Sequence, residues 1–193
     1  MTTPVFLCVF QDKPDLQKID EFLSVPKGLF VDGVLGDGWY GAAETPEVVS
    51  VLNGDVPISA LIKPTELKNW DCLQGMNHQI KFSMLDEFQK KDLWDDLSIL
   101  KKHYQSIVIF VPAELQAFSF YLKQEIQGIL IPVPYTMTQA IEMLHLLKKI
   151  QKEYQGKVFF MMPENEKSAG DFLKKEIEKM PSFICSFSKR YAL

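Results

Sequence analysis

The chain has 193 residues, of which 47% are hydrophobic and 24% are charged, and its formal net charge is −4. These values predict one compact domain with a proper core, and the acidic balance argues against a nucleic-acid binder that uses a broad basic face. No apolar run approaches the roughly 20 residues of a membrane span, and no export signal begins the chain, so we expect a cytoplasmic protein without direct membrane insertion.

Apolar runs alternate with amphipathic segments along the chain. The run at 4–10 predicts a strand buried on both faces, and Pro14 suits the first position of the helix that follows. A second strand is predicted at 28–34, before the glycine-rich turn at 36–38. Further strands are predicted at 70–73, 107–111, 126–133 and 157–162, and further helices open at 45–46, after a capping sequence at 83–86, at about 138 and at about 165.

This alternation predicts a single α/β domain over residues 1–193. Its three layers are a mainly parallel, twisted sheet and a layer of helices on each face. No internal repeat, low-complexity tract or linker divides it. On the long helix after 83–86, the apolar spacing predicts five inward side chains: Phe88, Leu93, Trp94, Leu97 and Leu100.

The residues that carry most enzyme chemistry form no recognisable motif. His78, His103 and His145 share no ligand spacing with one another or with a carboxylate, so no metal site and no cofactor are expected. The three cysteines are far apart and lie in apolar segments, which indicates reduced, buried thiols. No Gly-x-Ser-x-Gly elbow places a serine at a strand-to-helix turn.

The loop after the first strand lacks the features of a phosphate-binding loop. It reads Phe10-Gln-Asp-Lys-Pro-Asp15, in which the proline removes one backbone donor and the aspartates repel an anion. Lys13 is the group that would meet an anion there, and Asp32 ends the second strand, where parallel sheets place their ligands. Together with Asp37 these are the candidate ligand-binding residues. The alternative is that Asp32 caps the turn at 36–38.

Several consecutive segments resemble one known family. They are 29–32 (LFVD), 48–62 (VVSVLNGDVPISALI), 70–75 (WDCLQG), 97–113 (LSILKKHYQSIVIFVPA) and 128–144. In this order they resemble the MinD/ParA group of P-loop ATPases, and most closely its bacterial tyrosine-kinase branch, which acts in exopolysaccharide export. The resemblance covers about 28–165 and implies a Rossmann-like fold of the P-loop ATPase kind.

Three departures from this family bear on activity. Nothing after the first strand corresponds to the P-loop, whose lysine and hydroxyl hold the phosphates and Mg²⁺. Phe110 stands where the family has its Walker B aspartate, and Val34 stands where it has the second acid of a D-x-D pair. Asp32 is retained. The resemblance therefore implies the fold without the activity.

The leading hypothesis is a catalytically inactive, ATPase-like protein-interaction module of a larger bacterial assembly. That assembly would serve envelope polysaccharide export, secretion or pilus machinery, or cell positioning. The alternatives are an enzyme of unrecognised type and a nucleotide or small-ligand sensor, either of which would use the carboxyl edge of the sheet. Because no nucleotide would join facing sites, a monomer or a heteromer with a protein partner is expected rather than an ATP-dependent homodimer. No nucleic-acid partner is expected.

Aromatic residues that follow two of the strands are the candidate partner-binding residues. They are Trp39, Tyr40, Phe118, Phe120 and Tyr121. Both groups follow predicted strands, so a parallel sheet would bring them to the same carboxyl edge. Trp and Tyr are frequent interface anchors because they bury a large area. The alternative is that Phe118 and Phe120 are core residues and that Trp39 covers the turn at 36–38.

Overall fold

The computed structural model describes residues 3–10, 15–32, 48–73, 84–112, 115–132, 136–161, 168–180 and 184–188. Its strands are β1 Val5–Phe10, β2 Gly28–Asp32, β3 Ile62–Pro64, β4 Trp70–Leu73, β5 Ser106–Pro112, β6 Gly128–Pro132, β7 Lys157–Met161 and β8 Ile184–Ser188. Its helices are α1 Leu16–Leu23, α2 Val48–Leu52, α3 Glu87–Leu100, α4 Leu115–Leu122, α5 Met137–Glu153 and α6 Ser168–Ile177. None of the helices in these residues is long and apolar enough to cross a membrane.

The eight strands form one sheet in the order β3-β4-β2-β5-β1-β6-β7-β8. Neighbouring strands are parallel except at one edge, where β3 runs antiparallel to β4. The first strand of the chain therefore lies in the middle of the sheet, between β5 and β6. The predicted single α/β domain with a mainly parallel sheet is confirmed.

Side chains alternate between two cores, one on each face of the sheet. On one face, α1 buries Ile19, Phe22 and Leu23 against the even-numbered residues of β1 and the central strands. The other face buries the odd-numbered residues of β1 under a layer that includes α3, α5 and α6. The central strands read as unbroken apolar runs because both of their faces are covered.

One tryptophan organises the core beneath α1. The Trp70 ring is parallel to the Phe30 ring, with centroids 4.0 Å apart, and its Nε1 donates a 2.6 Å hydrogen bond to Asp20 Oδ1 of α1. Gly28 lies beside Trp70 in the sheet register, and any Cβ at Gly28 would overlap the indole ring. The glycine is therefore required by the close approach of the indole, and the indole in turn fixes α1 to the sheet.

The start of α3 corrects two expectations from the sequence. The N-cap is Asp86, whose side chain accepts from the backbone of Gln89 while the Gln89 side chain accepts from the backbone of Asp86; the predicted capping sequence at 83–86 was wrong. Phe88 is 80% exposed, not inward. Leu93 follows five positions later, which places the two side chains about 140° apart around the helix.

Three elements were not predicted from the sequence: β3, α4 and β8. The strand β3 has three residues and depends on its antiparallel partner β4. The helix α4 is apolar along most of its length, so it lacks the periodicity that marks an amphipathic helix. The strand β8 is five residues long and mixes apolar residues with serine.

Candidate functional site

The carboxyl ends of β2, β5 and β1 lie side by side, and this is where folds of this kind place ligands. In the sheet register, Asp32 of β2 lies beside Phe110 of β5, Phe110 lies beside Cys8 of β1, and Cys8 lies beside Leu130 of β6. Asp32 is 4% exposed, and the other three are fully buried. Among the described residues, Asp32 is the one buried carboxylate.

Phe110 belongs to the core beneath α1. Its ring packs against Phe30 with centroids 5.4 Å apart, and its exposure is 0%. The resemblance places a Walker B aspartate at this position, but here a buried phenyl ring lies between Asp32 and Cys8 in the sheet register. Phe110 therefore supplies packing to the site and no polar group. Val34, the second position at which an acid is replaced, lies outside the described residues.

The N-terminus of α1 follows β1 at the point where the resembled family binds phosphate. Asp15 is the N-cap of α1, and its side chain accepts a 3.2 Å hydrogen bond from the backbone nitrogen of Lys18. The Lys18 ammonium lies 3.5 Å from the same carboxylate. The side chain of Asp15 thus already accepts from a backbone N–H at the end of the helix that would attract an anion, so a phosphate would compete with it for that donor.

The structure places Tyr121 in the core and thereby corrects its assignment as an exposed partner-binding residue. Tyr121 is 1% exposed and packs edge-on against Trp94 of α3, with ring centroids 6.3 Å apart. Burial, and secondarily the charge of Asp32, raises the pKa of Tyr121. Phe120 is partly buried and packs against the same core. Phe118 lies in α4, but its side chain is not among those described.

The aromatic segment 118–121 lies in a helix that the sequence does not predict. Residues 115–122 form α4, which packs beside β5. The remaining candidates Lys13, Asp37, Trp39 and Tyr40 lie outside the described residues. Asp32 is therefore the ligand-binding candidate whose surroundings are defined.

The described residues contain no group of three His, Cys, Asp or Glu side chains that could hold a metal ion. Two of the cysteines, Cys8 and Cys72, are buried thiols in the sheet. Burial raises the pKa of Cys8 well above its ordinary value, so the reactive thiolate is disfavoured. These two cysteines therefore act as small apolar side chains.

The chain has the fold of the MinD/ParA-like P-loop ATPases. Cobyrinic acid a,c-diamide synthase from Mycobacterium smegmatis, with a bound ATP analogue and magnesium, aligns over 93% of this chain and 84% of its own, with a TM-score of 0.60 and 17% identity. Cell division ATPase MinD from Pyrococcus furiosus aligns over 90% and 80%, with a TM-score of 0.51 and 18% identity. The VpsO kinase domain aligns over 81% and 83%, with a TM-score of 0.56 and 20% identity.

These likenesses concern the fold, and they confirm the resemblance to this group that the sequence motifs indicate. No family model matches the chain, and no curated protein matches it.

Proposed function

We propose that the protein is a catalytically inactive, ATPase-like interaction module that serves a larger bacterial assembly in the cytoplasm. The observation that carries the proposal is the position of Phe110. The fold brings it beside Asp32 at the edge where the related ATPase folds hold nucleotide, yet its ring is buried against Phe30. A site with a phenyl ring at this point lacks the carboxylate that would orient a metal-bound water.

The N-terminus of α1 also supports the proposal that the protein is catalytically inactive. Phosphate sites at helix N-termini depend on free backbone N–H groups and on the positive end of the helix dipole. Asp15 accepts from one of these groups, so a phosphate would compete with its carboxylate for that donor. Each missing electrostatic contact would cost a phosphoryl transfer several kcal/mol, on the order of 3 kcal/mol by analogy with oxyanion donors.

The type of assembly is inferred from the resemblance and the structural neighbours. MinD is a cell division ATPase and VpsO has a kinase domain. The proposed settings are envelope polysaccharide export, secretion or pilus machinery, and cell positioning. A module of this fold without turnover would contribute a binding surface to such an assembly.

The proposal is tested by two measurements on the native chain. Phosphate release from Mg-ATP should equal the buffer blank, and affinity capture from the native bacterium should recover a stoichiometric protein partner. Trp39→Ala with Tyr40→Ala should release that partner if these candidate residues form its site. Turnover above the blank would contradict the inactive reading, and recovery of the chain without any partner would contradict the interaction module.

A second candidate function, a nucleotide or small-ligand sensor or an enzyme of unrecognised type, is favoured by Asp32. Asp32 is a buried carboxylate, and burying a carboxylate costs free energy unless other groups compensate the charge. Proteins often retain buried ionisable side chains at functional sites. A ligand that uses Asp32 would raise the melting temperature of the native chain but not that of Asp32→Asn. An equal response of both proteins to a panel of nucleotides would remove this alternative.

A further inference from the structure

The large hydrophobic side chains that are exposed among the described residues share one side of the molecule. All of them lie on or immediately before α3 and α5, in the helical layer on the face opposite α1: Met84, Phe88, Ile99, Met137 and Ile141. Their exposures run from 45% to 80%. Large apolar side chains exposed on one layer make that layer a candidate interaction surface.

The layer is continuous because α4 bridges the two helices. Tyr121 of α4 packs edge-on against Trp94 of α3. On its other side, the Ser119 hydroxyl of α4 donates a 2.8 Å hydrogen bond to Glu153 of α5. The helices α3 and α5 therefore flank α4 in one layer.

The exposed stripe of α3 is apolar at its two ends and acidic in the middle. Phe88, Asp92, Asp95 and Ile99 are all exposed, and spacings of three and four residues align them along one line of the helix. Burial, and secondarily the carboxylates of Asp92 and Asp95, raises the pKa of the neighbouring Asp96. Negative charge is thus crowded at the centre of this stripe.

The exposed stripe of α5 has the complementary pattern. Met137 and Ile141 begin it, and His145, Lys148 and Lys152 continue it with the same spacing. All five side chains are exposed. The stripe therefore runs from apolar to basic along the helix.

The two stripes match when the helices are aligned at their last residues. Both helices run toward the amino edge of the sheet, since α3 precedes β5 and α5 precedes β7 in the chain. Counted back from the last residue of each helix, Phe88 stands at the same position as Ile141, and Asp95 stands at the same position as Lys148. By the same count, Ile99 matches Lys152, whose aliphatic stem is apolar.

The match extends over the remaining positions. Asp92 corresponds to His145, while Met84 precedes the helix α3. When the two helices are laid side by side in the same direction, Phe88 meets Ile141, and the acids Asp92 and Asp95 meet His145 and Lys148. Ile99 meets the aliphatic stem of Lys152.

We propose that this layer is the surface on which two copies of the chain associate, with α3 of each copy against α5 of the other. A twofold axis parallel to the helices generates both contacts at once. In such an isologous interface, α3 of the first copy meets α5 of the second, and α5 of the first copy meets α3 of the second. An arrangement with α3 on α3 would bring Asp92 and Asp95 against their own copies and is disfavoured by like charge.

The layer is large enough for such an interface. The fourteen residues of α3 span about 21 Å, and three neighbouring helices are roughly 30 Å wide. A standard interface buries about 800 Å² on each partner, which is the scale of this surface. The association goes beyond the proposed function, and it requires no nucleotide, unlike the ATP-dependent pairing of the resembled family.

The test uses charge reversal on the full chain without nucleotide, with sedimentation over a concentration series into the high micromolar range. The native chain should dimerise. Asp95→Lys and Lys148→Asp should each raise the dissociation constant at least tenfold, because each places like charges together at both contacts. An equimolar mixture of the two variants should dimerise again. In the mixed dimer, the lysine introduced in one variant meets the aspartate introduced in the other, and the second contact is native.

Glu21→Lys is the matched control. Glu21 is exposed on α1, on the opposite face of the sheet, and its reversal changes the net charge by the same amount as Asp95→Lys. This variant should dimerise like the native chain. A native chain that stays monomeric throughout the series would overturn the proposal. So would a dimer that survives both stripe variants, or a mixture that stays monomeric.

Discussion

Asp32 at the end of β2 lies beside Phe110 of β5 in the sheet register, and both are buried. The acid that the resembled family uses is thus retained, while the position next to it carries a phenyl ring. A carboxylate pair at this point would hold and orient a metal ion, but a carboxylate with a phenyl neighbour offers a single anionic ligand. In the described part of this edge, a buried carboxylate thus lies beside a buried phenyl ring, and the proposed inactivity rests on this pair.

Restoring an acid at position 110 should damage the fold and leave the protein inactive. Phe110→Asp places a carboxylate in the apolar core beside Phe30, with a cavity around it, and should lower the free energy of unfolding by about 3–5 kcal/mol. Urea denaturation measures this loss. Phe110→Leu, which keeps the core apolar, should cost about 1.5 kcal/mol or less. A stable Phe110→Asp protein that hydrolyses Mg-ATP would contradict this account of the site.

A methyl group at Gly28 should displace the Trp70 indole. Gly28→Ala would overlap the ring, so the free energy of unfolding should fall by about 1–3 kcal/mol and the near-ultraviolet dichroism of tryptophan should change. Gly54→Ala is the comparison, since Gly54 has a φ of 78° but open space around its Cβ position. That variant should lose about 1 kcal/mol from backbone strain and keep the native spectrum. Equal spectra for the two variants would argue against the close approach at Gly28.

The hydrogen bond from Trp70 to Asp20 should contribute measurably to stability. Asp20→Ala leaves the indole N–H without its acceptor, which should cost about 1–3 kcal/mol in the free energy of unfolding. Glu21→Ala removes an exposed carboxylate from the next residue of the same helix and should change stability by less than about 0.5 kcal/mol. Similar losses in the two variants would show that the hydrogen bond contributes little.

Stability should fall in alkali because tyrosines are buried in their neutral form. Burial, and then the hydrogen bond to Asp71, raises the pKa of Tyr104 above its ordinary value of 10.0. The folded chain therefore retains a proton that the unfolded chain loses, and stability declines as the pH rises above about 10. Urea denaturation between pH 8 and 11 should show a shallower decline for Tyr104→Phe than for the native chain. If stability declined with pH equally in both proteins, Tyr104 would not be the cause of the decline.

The central fold was predictable from sequence because its strands are covered on both faces. Unbroken apolar runs such as Val5–Phe10 and Gly28–Asp32 mark such strands without any knowledge of their partners. The strand β3 was not predictable in this way, because three residues become a strand through their pairing with β4. The helix α4 was missed since its apolar residues lie on more than one side.

The site could be inferred in part. The replacement of an acid by Phe110 was visible in the sequence, but its packing against Phe30 depends on the neighbouring strand. The N-cap at Asp15 could be predicted from the sequence, since an aspartate directly before an amphipathic run is a common N-cap. Tyr121 is buried because it lies in α4, a helix that the sequence does not predict. No local feature of the sequence distinguishes Tyr121 from an exposed aromatic residue.

Calorimetry with Mg-ATP tests the central claim most directly. Titration of Mg-ATP into the native chain should give no binding heat beyond dilution, because Asp15 caps the helix that would hold the phosphates and Phe110 fills the position of the metal-orienting acid. Asp32→Asn should behave identically. Micromolar binding to the native chain, weakened in Asp32→Asn, would contradict the account and identify a working nucleotide site at the carboxyl edge of the sheet.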